Sequence, residues 1–103
     1  MASRKDKIDH FIERVKKRFS PEKIILFGSR ARGDHLKHSD YDIMIISQAF
    51  EGLNFRDRII EVYSLVVEPL NVEVICLTPE EFKARKDELS VVGVAAKEGR
   101  GIA

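Results

Sequence analysis

Ile24-Ile25-Leu26-Phe27-Gly28-Ser29 and, ten residues further on, Asp40-Tyr41-Asp42-Ile43-Met44-Ile45-Ile46 are the stretches that decide the fold. Each apolar run is too short for a helix and continuous enough for a buried strand. The first ends on Gly28-Ser29, a strong breaker. The second begins with two acids. Between them, Arg30 to Arg32 has room for one helical turn before Gly33, and Asp34 to Ser39 is polar and loop-like.

Working outward, Ile8, Phe11, Ile12, Val15 and Phe19 recur at helical spacing, with a Ser3–Asp6 capping box ahead of them and Ser20-Pro21 behind. This predicts a helix over 4–19, its basic face solvated. Asn54 is placed to cap a helix over about 55–67, with Phe55, Ile59, Val62, Tyr63 and Val66 as its apolar face and Arg56, Asp57 and Arg58 exposed. Val72 to Leu77 reads as a third strand, interrupted by Glu73. Thr78-Pro79-Glu80-Glu81 opens a short helix running to about Leu89. Val91 to Ala96 fits helix or strand, and the glycine-rich tail has room for a brief edge strand. A helix between the second and third strands makes that pair parallel. The expectation is one α/β (α+β) domain over 1–103, a small mixed sheet with helices packed on it.

Composition narrows the function. There are 18 Lys and Arg against 17 Asp and Glu, whereas a dedicated nucleic-acid binder carries a basic excess. Nucleic acid is therefore not expected as the direct substrate. One cysteine, Cys76, forms no intrachain disulfide and reads as a buried thiol. No apolar run reaches the ~18 residues of a membrane span, and no secretory signal is visible, so a cytoplasmic protein is expected.

The chemistry gathers around the two strands. Asp40 and Asp42, two apart in a strand, point to one face roughly 6.6 Å apart. Like charges so placed repel unless a cation lies between them. Carboxylates suit Mg²⁺ or Mn²⁺, and Mg²⁺ favours a few carboxylates plus substrate phosphates. Glu73 is the third acid, an isolated charge in an otherwise apolar strand. A lone Asp-x-Asp is more often a turn and a solvated carboxylate, but Gly28-Ser29 changes the balance. Glycine admits a phosphate close to the backbone, and the serine hydroxyl and free N–H groups can donate to it. Arg30 and Arg32 add positive charge. Gly28 and Gly33 have the spacing of a P-loop, but Asp34-His35 stand where Lys and Ser or Thr are required. His35 and His38 beside Asp34 hint at zinc, yet a solvated loop explains them better. Tyr41, between the two acids, faces the other way and packs.

The string Phe-Gly-Ser-Arg-Ala-Arg-Gly, with Ser-Asp-Tyr-Asp beyond it, resembles the signature of the minimal nucleotidyltransferases of the DNA polymerase β-like superfamily, and the element order agrees over most of the chain. The resemblance implies that Gly28 and Ser29 hold a nucleoside triphosphate, that Asp40 and Asp42 bind two Mg²⁺ ions (Mn²⁺ able to substitute), and that Glu73 takes the third-acid position, often Asp in the family. It implies transfer of AMP from ATP to a hydroxyl. It also implies a partner, since many such proteins are antitoxins that adenylylate a tyrosine of a HEPN-domain ribonuclease toxin. Two alternatives stand beside it: an antitoxin acting by binding alone, and transfer to a small molecule, for which 103 residues leave no added acceptor domain. Self-association stays open.

Overall fold

The computed structural model describes residues 4–28, 41–87 and 91–102. In chain order these form α1 (Arg4–Phe19), β1 (Lys23–Phe27), β2 (Tyr41–Ile46), a 3₁₀ turn (Gln48–Phe50), α2 (Phe55–Tyr63), β3 (Val72–Leu77), α3 (Pro79–Arg85), α4 (Val91–Glu98) and β4 (Arg100–Gly101). One four-stranded sheet has the order β3-β2-β1-β4. β1 is antiparallel to β2 and to β4, and β2 is parallel to β3 across the α2 crossover. The sheet is mixed, as expected. The Cα radius of gyration of 13.1 Å matches the roughly 13 Å of a compact domain of this length. No helix among the described residues is long and apolar enough to cross a membrane.

The strands are apolar on both faces because both are covered. On one face Ile24, Leu26, Tyr41, Ile43, Ile45, Val72, Val74 and Cys76 pack with the α1 stripe Ile8, Phe11, Ile12, Val15 and Phe19, and with Phe50 and Val62. On the other, Ile25, Met44, Ile46 and Leu77 pack with Ala95 of α4, Phe82 of α3, Phe27 and Ile75. Val91 to Ala96 is thus settled as helix, and the tail does form a brief strand. Tyr41 is buried in the first cluster, as its position between the acids requires.

α1 ends where Ser20, just ahead of Pro21, takes a left-handed φ of 44°. The Phe19 carbonyl left over there accepts a 2.6 Å bond from the hydroxyl of fully buried Ser47, whose oxygen in turn accepts the Ala49 N–H. Asn54 caps α2, and Thr78 with Glu81 forms the expected capping box on α3. The Ser3 box lies outside the described residues.

Four expectations need correction. α2 stops at Tyr63, not near 67, and α3 stops at Arg85 rather than near Leu89; residues 88–90 lie outside the described set. The proposed apolar face of α2 buries only Val62 fully, while Phe55, Ile59, Ile60, Tyr63 and, beyond the helix, Val67 are exposed. Arg58 is not a solvated charge. It is 5% exposed, donating from Nε to Leu53 O at 2.9 Å, from Nη1 to Cys76 O at 3.1 Å and to Glu81 Oε1 at 2.6 Å, and from Nη2 to Glu81 Oε2 at 3.3 Å, with its guanidinium 4.7 Å from the Phe55 ring centre. All three guanidinium nitrogens are bonded, which offsets the cost of burying the charge. This contact holds the Glu81 carboxyl below its usual range, chiefly through the Arg58 bonds.

Candidate functional site

The sheet brings the C-terminal end of β1 beside the N-terminal ends of β2 and β3. Phe27 is the register partner of Asp42, and Asp42 is the register partner of Glu73. Register partners on adjacent strands share a face, about 4.8 Å apart. Asp42 and Glu73 are therefore neighbours on the face that also carries Phe27, Met44 and Ile75. Parallel pairing alone accomplishes this, since the two acids are thirty-one positions apart.

Gly28 follows directly, at φ 73°. A Cβ built on it would collide with Asp42 Oδ2 and lie 3.1 Å from Asp42 Cγ. Two demands meet at this position: a left-handed backbone and the absence of a side chain. The first strand turns away on a residue that leaves the space to the carboxylate.

Glu73 is exposed, which corrects the reading of it as a charge buried within its strand. Its cost is low because the side chain itself reaches solvent, one residue into β3. What marks it is its place beside half-buried Asp42. Two adjacent carboxylates repel one another and favour a cation between them. As hard oxygen donors on one face, next to a backbone turn without a side chain, they are a donor set suited to Mg²⁺ or Mn²⁺ in company with phosphate oxygens. Among the described residues no group of three His, Cys, Asp or Glu side chains forms a complete metal cage.

Ser29, Arg30, Arg32 and Asp40 lie outside the described residues, as do the turn expected at Arg30 to Arg32, the polar loop, and His35 and His38. Of the expected site residues, the structure thus brings together Gly28, Asp42 and Glu73. Cys76, on the opposite face and 3% exposed, takes no part; burial pushes its thiol up to about 12.

Two residues that hold β3 were read in the sequence only as helix positions, Tyr63 as apolar and Arg58 as exposed. Tyr63 donates its hydroxyl to Val72 O at 2.8 Å, one residue from Glu73. Arg58 does the equivalent at the far end of β3. The available signal was that both project from α2 at five-residue separation, on the helix leading into that strand.

Comparison with known proteins shows the family. A 56-residue stretch is 32% identical to a candidate protein adenylyltransferase of Methanocaldococcus jannaschii, covering 48% of this chain and 57% of that protein. A second such protein of the same organism is 31% identical over 77 residues, covering 64% of this chain and 52% of its own. The aligned regions span little more than half the length of these relatives. The fold superposes on a candidate nucleotidyltransferase from Sulfolobus solfataricus with a TM-score of 0.65 and 27% identity, over 98% of this chain and 87% of that one. Residues 8–100 match the family described as nucleotidyltransferase domain, and with nearly the whole chain inside that match, the protein belongs to the nucleotidyltransferase domain family.

Proposed function

We propose that this chain transfers AMP from ATP to a hydroxyl on a protein partner in a Mg²⁺-dependent reaction. The observation that carries the reading is the alignment of Gly28, Asp42 and Glu73 at one end of the sheet. Gly28 and Ser29 would hold the triphosphate through backbone N–H groups and the serine hydroxyl, with Arg30 and Arg32 adding charge. Asp40 and Asp42 would bind the cations, with Glu73 completing the set. Bound Mg²⁺ would neutralise charge on the triphosphate and on the oxygens where charge develops during transfer. The acceptor hydroxyl attacks the α-phosphorus, its new O–P bond forming as the bond to the pyrophosphate oxygen breaks. Glu73 assists loss of the hydroxyl proton.

A protein acceptor is supported by two observations. Both curated relatives carry the name of protein adenylyltransferases. Phe55, Ile59, Ile60, Tyr63 and Val67 form an exposed apolar stretch that reaches the site through Tyr63, the kind of surface that a partner covers. The C-terminal segment, by contrast, spends Ala95 on the core. The resemblance to minimal nucleotidyltransferases makes a tyrosine of a HEPN-domain toxin the leading acceptor, in the cytoplasm, with this chain as its antitoxin. The test is purification of the protein with its natural partner, followed by intact-mass measurement after ATP and Mg²⁺. One added AMP on a partner tyrosine is expected, and none when EDTA is present from the start. An unmodified stable complex would favour neutralisation by binding alone.

A further inference from the structure

We infer that Tyr63 is a positioning residue for Glu73, acting through the peptide that joins Val72 to Glu73; this rests on the reading of Glu73 as the third acid. β3 is an edge strand. Tyr41 N–H bonds Asn71 O at 3.1 Å and Ser47 N–H bonds Leu77 O at 2.9 Å. Along a parallel ladder of this register, Asn71, Glu73, Ile75 and Leu77 direct their backbone groups to β2, whereas Val72, Val74 and Cys76 direct theirs outward. An open edge of this kind needs covering, and α2 covers it from the side. Tyr63 bonds the outward carbonyl of Val72, and Arg58 that of Cys76.

The two contacts sit at opposite ends of β3. Arg58 is buried in a filled polar network remote from the acids. Tyr63 is 40% exposed and holds the strand at its first residue, where a strand is most prone to fray. The Val72 carbonyl and the Glu73 N–H belong to one peptide. Its N–H side is paired to β2 and its carbonyl side is held by the phenol, so the plane is fixed from both directions. That plane sets the direction in which Glu73 leaves the strand relative to Asp42. The phenol is anchored in turn, because the adjacent Val62 is fully buried.

The test is Tyr63→Phe, which keeps the ring and removes only the donor. Amide hydrogen exchange by NMR, without nucleotide or metal, should show the Glu73 N–H exchanging about tenfold faster, with Ile75 and Leu77 within about twofold of wild type. In transfer assays kcat should fall about tenfold and KM for ATP stay within about twofold, the pattern of a misplaced reacting group. In a Glu73→Gln background, Tyr63→Phe should cost nothing further. An unchanged Glu73 amide, a uniform rise along β3, or losses that multiply in the double variant would overturn the inference. If the wild-type protein transfers no nucleotide, the proposed function falls while the exchange measurement still decides the role of Tyr63.

Discussion

The Asp42 carboxylate lies against the Cα of Gly28, in space that the side chain of any other residue would occupy. The contact links the end of β1 to the start of β2, which are already joined by the register pair Phe27 and Asp42. One residue therefore serves the turn and the acid together. Its backbone is left-handed, and its missing Cβ leaves room for a carboxylate set beside Glu73.

Gly28→Ala should consequently damage function more than stability. A left-handed alanine costs about 1–2 kcal/mol, seen as a lowered thermal midpoint. The methyl group must also displace the Asp42 carboxylate, and a shift of about 1 Å at a reacting centre costs on the order of 100-fold in rate. Circular dichroism melts and transfer assays on the same preparation separate the two effects. A variant that is destabilised but turns over at the wild-type rate would contradict the packing argument.

On the proposed mechanism, Asp40→Asn and Asp42→Asn should each abolish transfer, since each removes charge from a proposed cation ligand. Both should fold, with Asp42→Asn relieved of repulsion from Glu73. The measurement is incorporation of labelled AMP alongside thermal unfolding. Unchanged rates in either variant would refute the two-cation reading.

Binding and chemistry should separate at Ser29 and Glu73. Ser29→Ala removes the proposed phosphate donor, worth about 1–3 kcal/mol in a charge-assisted bond, so calorimetric titration should show weaker ATP binding. Glu73→Gln should leave ATP affinity largely intact and slow the transfer step. Normal turnover in Glu73→Gln would reduce Glu73 to a strand residue.

The Arg58 and Glu81 pair should govern stability at acid pH. Arg58→Met orphans the Leu53 and Cys76 carbonyls and should cost about 2–4 kcal/mol. Glu81 has a folded-state pKa below the ordinary value of 4.5, chiefly because Arg58 bonds it. Its contribution is therefore fully present above that value and is lost as pH falls through the lowered folded pKa. With a third of its side chain exposed, that contribution is about 1 kcal/mol. Glu81→Gln should be less stable at neutral pH and lose less stability than wild type on acidification. Urea melts at pH 7 and at pH 3 or so, below the ordinary carboxylate range, give both comparisons.

The cores of α1, α2 and α3, the strands β1 to β3 and the caps at Asn54 and Thr78 were legible in the sequence because their signals are local. The stripe from Ile8 to Phe19, the capping box from Thr78 to Glu81 and the apolar runs of β1, β2 and β3 each depend on neighbours within a few residues. The Gly28-Ser29 and Asp40-Tyr41-Asp42 pattern was legible for the same reason, and it carried the family. Tertiary structure alone decided which distant groups meet. Glu73 stands beside Asp42 because β2 and β3 pair in parallel at one register, and a shift of one residue would have turned it to the opposite face. Arg58 looked like a solvated helix charge, but its fork is filled by carbonyls and a carboxylate from three other segments, which no local pattern displays. Tyr63 counted only as an apolar helix residue until the sheet order left β3 at an edge and its outward carbonyls in need of donors. Such properties arise from pairing across the chain, so they follow from where the backbone polar groups are satisfied once the elements have packed.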